Sequence, residues 1–416
     1  MTGRKSPLLA GLPLFAAFLA APLAVLAAKL AGQPAALESL GPRGLGLWLG
    51  LAGLAALLGL RRSRGDWRPA DKGSRIWPRL LALLALAALA FALLRLFGPA
   101  LARAEDLAPL LEELKLPALL AFAGLWVWNF GAPAPAALVR LGAGLGAMTL
   151  LDFLLTAIMA QRLVLGGGYL FGESGGMDDI LAFLLCLAYC ATLAPRPDDG
   201  EGGEADGAPR SPLTRWLILG GLLATFSRPG LAAAAVISLC HDDAPVRERL
   251  AVAAACAIGV WMSLTLPLPR IPGPGEDLGL AWYWAATGEA MRQDPLALLV
   301  GLPLDSPMAL AMPDVQGGEL LPDLDGLPVS VFEIPVSALR LAAAWGLAAP
   351  LLLLAGAGWC AWRGRSRFGL GLISTLIVCA GLSPVLHVPA TAVAAALALF
   401  AAARPSRRPG ADGPET

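Results

Sequence analysis

Residues 224–231 read Ala224-Thr225-Phe226-Ser227-Arg228-Pro229-Gly230-Leu231, in the middle of an apolar stretch that runs from Thr214 to Cys240. A guanidinium cannot shed its charge, and at mid-bilayer depth it costs at least about 2.5–3.5 kcal/mol. Pro229 cannot continue a helical hydrogen-bond ladder, and Gly230 loosens the backbone beside it. The stretch reads either as one helix with a snorkelling arginine or as two helices meeting at a break, with Arg228 at a water-accessible membrane boundary. The distribution of charge over the rest of the chain selects the second reading.

The chain has 416 residues, of which 57% are hydrophobic and 15% charged, and its mean hydropathy is +0.68. Apolar runs near the length that spans a bilayer core recur along it. They fall near residues 8–31, 44–60, 77–98, 117–131, 136–160, 180–194, 214–227, 229–240, 250–267, 336–361, 368–383 and 388–403. These predict an all-α, polytopic integral membrane protein with about twelve transmembrane helices and the lipid bilayer as its first partner. The period-2 alternation of a membrane barrel is absent. Met1-Thr2-Gly3-Arg4-Lys5 and the apolar run to Leu30 fit a retained first membrane helix better than a cleaved leader. A formal net charge of zero offers no bulk attraction to nucleic acid.

Basic residues orient the spans. Arg61, Arg62, Arg64, Arg68, Lys72 and Arg75 place loop 61–75 in the cytoplasm. Alternation then puts Arg4-Lys5, Arg363-Arg365-Arg367 and the tail with Arg404, Arg407 and Arg408 on the same side, provided that the chain crosses twice between Arg215 and His241. The expected organisation is N-terminal transmembrane helices in 1–194 and a cytoplasmic acidic Gly/Pro linker in 195–213. Helices with the Ser-Arg break follow in 214–267, a large external loop in 268–335, C-terminal helices in 336–403 and a cytoplasmic tail in 404–416. The external loop is periplasmic in a Gram-negative cell; it holds ten acidic residues against Arg270 and Arg292. Leu278–Gln293 reads as a helix whose Trp282, Tyr283 and Trp284 suit a membrane interface, and the proline-rich remainder reads as irregular. A shorter external loop, Gln161–Ile180, carries Gly166-Gly167-Gly168 and Gly172-Glu173-Ser174-Gly175-Gly176 without the strand that a phosphate cradle needs.

Few residues carry chemistry. Arg228 at a membrane surface suits a lipid-linked diphosphate, because its planar fork meets phosphate oxygens two at a time. Asp152 lies inside an apolar segment and calls for a structural partner. His241 falls on the cytoplasmic side and His387 on the external side, where an imidazole is the natural general base near neutral pH. A loop carboxylate such as Glu333 or Asp294 is the other candidate base. The six cysteines lie in or beside apolar runs, which suits packing, and no zinc-ligand spacing, nucleophile elbow or P-loop is present.

The arrangement resembles the O-antigen ligase and polymerase family of bacterial envelope enzymes over most of residues 160–361. Gly172-Glu173-Ser174-Gly175-Gly176-Met177 sits where that family has a glycine-containing loop opening a helix, and Thr225-Phe226-Ser227-Arg228 resembles its Ser-Arg motif at a helix break. Ala281-Trp282-Tyr283-Trp284-Ala285-Ala286 and Gln293-Asp294-Pro295-Leu296 resemble the opening of its large periplasmic loop. Leu339-Arg340-Leu341 through Trp345-Gly346-Leu347 resembles the helix that leaves it. The family's second arginine has no counterpart among Leu278–Ala281, the nearest earlier one being Arg270, and Pro335-Val336 stands where the family has a His-Asn pair.

The resemblance implies transfer of a glycan from undecaprenyl diphosphate to an acceptor on the periplasmic face, without metal, nucleotide sugar or other cofactor. It implies a multi-pass protein of the bacterial cytoplasmic (inner) membrane with both termini cytoplasmic. Arg228 and Ser227 would bind the carrier diphosphate, Arg270, Trp284 and Arg340 would complete the substrate site, and His387 or Glu333 would replace the family's base. The alternative is a catalytically inactive protein on the same scaffold that binds lipid-linked glycan or serves assembly. A transporter is disfavoured because no internal repeat is evident.

Overall fold

A computed structural model describes residues 7–20, 50, 53, 108–160, 177–195, 212–265, 280–302, 308–309, 328–329, 331, 334–364 and 366–403. Within them the chain is helical apart from one short ladder. α1 (Pro7–Phe15) continues into a wider π-helical turn, Ala16–Ala20. α2 (Ala108–Phe130), α3 (Pro135–Ala160), α4 (Met177–Thr192), α5 (Pro212–Thr225), α6 (Arg228–His241) and α7 (Val246–Thr265) follow. α8 (Leu280–Gln293) and α9 (Ala297–Val300) precede a two-rung antiparallel ladder of β1 (Met308–Ala309) and β2 (Pro328–Val329). α10 (Ser337–Trp345), α11 (Ala348–Gly364), α12 (Arg367–Leu382) and α13 (Pro389–Ala402) complete the described chain.

α4 is the axis of the bundle. Every residue from Leu181 to Ala191 is buried, so it is apolar all round because neighbours surround it. α3, α5, α6, α12 and α13 all pack on it. Close approach depends on missing side chains. A Cβ on Gly146 of α3 would run into the Leu217 carbonyl of α5, and one on Gly221 would meet the Gly146 backbone. A Cβ on Gly230 would meet Ala182 of α4. A second, smaller core joins Tyr283 and Met291 of α8, Ala297, Leu302, Val331 and Ile334 to Leu339 and Ala342–Ala344 of α10. Leu302 N donates to Ala343 O (2.6 Å) and Leu347 N to Leu298 O (2.9 Å), which seats the α8–α9 corner on α10.

The expectation of about twelve membrane-spanning helices is corrected here. Among the described residues only two helices are long and apolar enough to cross a membrane, Pro135–Ile158 with 24 residues and Val246–Thr265 with 20. For α2, with 23 residues, the reason is not length, and its first turns carry Glu112, Glu113 and Lys115; for the other expected spans that are described it is length. A residue advances a helix by about 1.5 Å and a hydrocarbon core is about 30 Å thick. α5, α6 and α13 have 14 residues each, and α4 and α12 have 16. The apolar run 336–361, expected as one span, is cut at Gly346 (φ 80°) into helices of 9 and 17 residues. The expected span at 77–98, all but residues 50 and 53 of that at 44–60, residues 196–211 of the linker, the glycine loop before Met177 and most of the external loop lie outside the described residues, and only part of 8–31 is described; Pro212 and Leu213, expected in the linker, open α5. The loop helix expected over Leu278–Gln293 is α8, starting at Leu280. The stretch after it, expected to be irregular, contains α9 and the short ladder.

Candidate functional site

The break is a chain reversal. α5 ends at Thr225, Phe226 takes a left-handed conformation (φ 51°), and α6 begins at Arg228. Ser227 caps α6: its Oγ accepts from Gly230 N (3.2 Å), with proline early in the first turn where its missing N–H leaves no bond unmade. The same hydroxyl donates to Asp179 Oδ1 at the start of α4 (2.5 Å). At the open end of the hairpin Arg215 Nη2 meets Asp242 Oδ2 (2.5 Å), and Tyr189 OH donates to that oxygen (2.6 Å). The two helices are therefore tied at both ends, and each fits within one bundle length.

Arg228 is half-buried at the first position of α6. Its Nε donates to Ser263 Oγ (3.3 Å) and its Nη2 to Ser263 O (3.0 Å), on the last turn of α7. A cation at a helix N-terminus opposes the helix dipole, so the bonds to Ser263 hold it where the dipole alone would not. This end of the bundle also carries the start of α4, the Ser383–Val388 corner between α12 and α13, and the start of α10. Cys379 Sγ faces Pro229 O (3.7 Å), and Ser337 N donates to Ser383 O (3.0 Å). The later part of α3 and the last turn of α7 reach this end too: the Phe153 ring lies 5.9 Å from that of Phe226, and Ser263 holds Arg228.

A second constellation lies at this end. Glu113 of α2, Arg340 of α10 and His387 of the α12–α13 corner meet with side-chain exposures of 1%, 11% and 7%. Arg340 Nε donates to Glu113 Oε1 at 2.6 Å, and His387 Nε2 stands 3.6 Å from Glu113 Oε2. His387 Nδ1 faces Ser337 Oγ at 3.4 Å, and that hydroxyl accepts from Leu386 N (2.9 Å). Burial pushes the Glu113 carboxyl up, but the His387 and Arg340 contacts outweigh it and hold the group below its ordinary value. Carboxylate, imidazole and hydroxyl stand in the order of a nucleophilic triad. Ser337 is fully buried, however, so it presents no nucleophile to a substrate.

The sequence candidates thus fall in three places. Ser227 and Arg228 share the break. Arg340 and His387 come together around Glu113. Trp284 lies exposed on α8. Arg270 and Glu333 lie outside the described residues. Sequence reasoning missed Glu113, Asp179 and Ser263. For Glu113 a signal existed: it stands in helical phase with Leu116, Leu120 and Ala123, the face that α2 buries. Ser263 and Asp179 carry no such mark. No protein-family model matches this chain, and no curated protein matches it either.

Proposed function

We propose that this chain is an envelope polysaccharide glycosyltransferase of the O-antigen ligase and polymerase type, taking its glycan from undecaprenyl diphosphate at the periplasmic face of a bacterial cytoplasmic membrane. The observation that carries the reading is Arg228, set at the first turn of a helix that restarts after a reversal, at the end of the bundle that the first turn of α4 and the last turn of α7 also reach. There its guanidinium can meet the carrier's diphosphate as the sugar leaves. The acceptor oxygen attacks the anomeric carbon and gives up its proton to a base. The anomeric C–O bond breaks, and the carrier diphosphate departs with the electron pair. His387 is the base among the described residues. Arg228 stabilises charge that grows on the leaving group, so its contribution is largest in the transition state.

Losing a charge-assisted contact of about 1.5–3 kcal/mol corresponds to roughly a 10- to 100-fold fall in transfer. In a deletion strain complemented with Arg228→Ala, surface glycan is expected to fall by that order, with Arg228→Lys between it and the parent. Undiminished glycan from the Arg228→Ala protein, expressed at parental level, rules the reading out.

A second reading is a carrier-binding protein without transferase chemistry. It is favoured by His387, whose two ring nitrogens both face protein groups. Under this reading purified protein binds a polyprenyl diphosphate and loses binding with Arg228→Ala, while His387→Asn changes neither binding nor surface glycan.

A further inference from the structure

We propose that Asp179 is the positioning residue of Arg228: through the Ser227 hydroxyl it fixes where α6 starts, and so where the guanidinium is delivered. The proposal deepens the transferase reading above and rests on it. Ser227 Oγ donates to Asp179 Oδ1 at 2.5 Å, across 48 positions of chain. A carboxylate only accepts, so the one proton of the hydroxyl is committed to Asp179. A lone pair is left for Gly230 N, which donates at 3.2 Å. A hydrogen bond to an ionised acceptor is about twice as strong as a neutral one. Asp179 thereby holds the cap of α6 from the first turn of another helix. The contact continues along α4, which turns Asp179, Ala182 and Cys186 to the start of α6, a spacing that lies on one helix face. A Cβ on Gly230 would meet Ala182, and Cys186 Sγ donates to Gly230 O (3.4 Å).

The reversal needs this hold. Phe226 stands at φ 51°, a region that a bulky side chain avoids. Such a conformation persists only where its surroundings over-determine it. The Phe153 ring on Phe226, Thr225 Oγ1 on Ser227 N (3.2 Å) and Asp179 on Ser227 Oγ do so. Ser263 fixes the far end of Arg228 at Nε and Nη2, and Asp179 fixes the near end through the neighbouring residue. A misplacement of about 1 Å at a reacting centre costs up to about 100-fold in rate. A shift of the first turn of α6 therefore reaches the reaction without any contact between Asp179 and the substrate.

Asp179→Ala removes the acceptor, Asp179→Asn keeps an amide oxygen in its place, and Ser227→Ala cuts the same link from the other side. In the complemented deletion strain, at matched protein level, Asp179→Ala and Ser227→Ala are each expected to lower surface glycan about tenfold or more. Asp179→Asn is expected to stay within about threefold of the parent. Combined with Arg228→Ala, Asp179→Ala is expected to lose nothing further, because it acts only through the guanidinium. Hydrogen exchange on the full-length protein in nanodiscs reads the turn itself. The amides of Gly230 and Leu231, which donate to Ser227 Oγ and Ser227 O, are expected to exchange about tenfold faster in Asp179→Ala than in the parent. Asp242→Asn, which loosens the other end of the hairpin, is the control for general destabilisation and is expected to leave surface glycan per folded protein unchanged. Parental glycan from Asp179→Ala overturns the proposal. So do an Asp179→Asn protein as impaired as Asp179→Ala, losses that multiply in the double variant, and unmoved exchange at Gly230 and Leu231. Where Asp179→Ala does not accumulate, Ser227→Ala carries the test with the same outcomes. Full glycan from Arg228→Ala overturns the transferase reading instead, and the exchange of Gly230 and Leu231 then still decides whether Asp179 holds the turn.

Discussion

Glu113 and Arg228 are both charges at one end of a largely apolar bundle, and their surroundings assign them different work. Glu113 is sealed at 1% side-chain exposure and held by two partners, so its charge contributes to the fold. Its carboxyl titrates below its ordinary value of 4.5 in the folded protein. The unfolded chain therefore binds a proton first as pH falls, and the contribution of Glu113 to stability is complete above 4.5. It shrinks as pH drops through the lower folded value. Thermal unfolding of the Glu113→Gln protein in detergent should show a flatter dependence on pH in that acid window than the parent. An equal slope in both would mean that Glu113 is not a source of the acid sensitivity. Arg228 is only half-buried, and among its contacts are a hydroxyl and a carbonyl of Ser263.

Among the elements, the α5–α6 hairpin shows how far the sequence can be read. Pro229 and Gly230 announce a break because their backbones restrict or loosen a helix wherever they occur. The left-handed turn falls on Phe226, which no propensity favours; its ring packs 5.9 Å from that of Phe153 on α3, a contact made only by the assembled bundle. The far ends of the hairpin are tied by Arg215 and Asp242, with Tyr189 of α4 on the same carboxylate oxygen and Arg215 Nη1 reaching Glu248 (3.3 Å). Asp242 is nearly fully buried, so neutralising it leaves a guanidinium poorly compensated. Asp242→Asn should destabilise the protein by about 3 kcal/mol, seen as a lower unfolding temperature. A change below about 0.5 kcal/mol would place the stability of the hairpin in helix packing alone.

Over the described residues of the molecule, a large and a small core divide the work, beside a third cluster of Leu116, Leu341 and Ala392. The large one is built on α4, and the small one holds α8 and α9 to α10. α10 belongs to both ends of this linkage, carrying Arg340 toward Glu113 and Ala343 toward Leu302. Tyr283→Ala removes a buried ring from the small core. Hydrogen exchange should therefore speed up across 280–302 and 334–345 by tenfold or more, while α4 keeps its protection. Equal loss in α4 would show one cooperative unit. The layout also explains the missing spans. Helices α4, α5, α6, α12 and α13 pack together within 14–16 residues each, short of a membrane span, while Leu213, Trp216, Leu370 and Ile377 stay exposed on the outer faces of α5 and α12.

Composition and backbone chemistry by themselves determined that the described chain is helical, that it breaks at Ser227–Arg228, and that a helix ends near Gln293. These are local properties, set by side-chain apolarity, proline, glycine and capping within a few residues of each position. Tertiary structure alone decided how many apolar runs become long helices, where Gly346 divides one of them, and that Glu113 meets Arg340 and His387. Apolar residues look alike in sequence whether they face lipid or another helix. A buried ion cluster drawn from positions 113, 340 and 387 is specified by packing, which no local window contains.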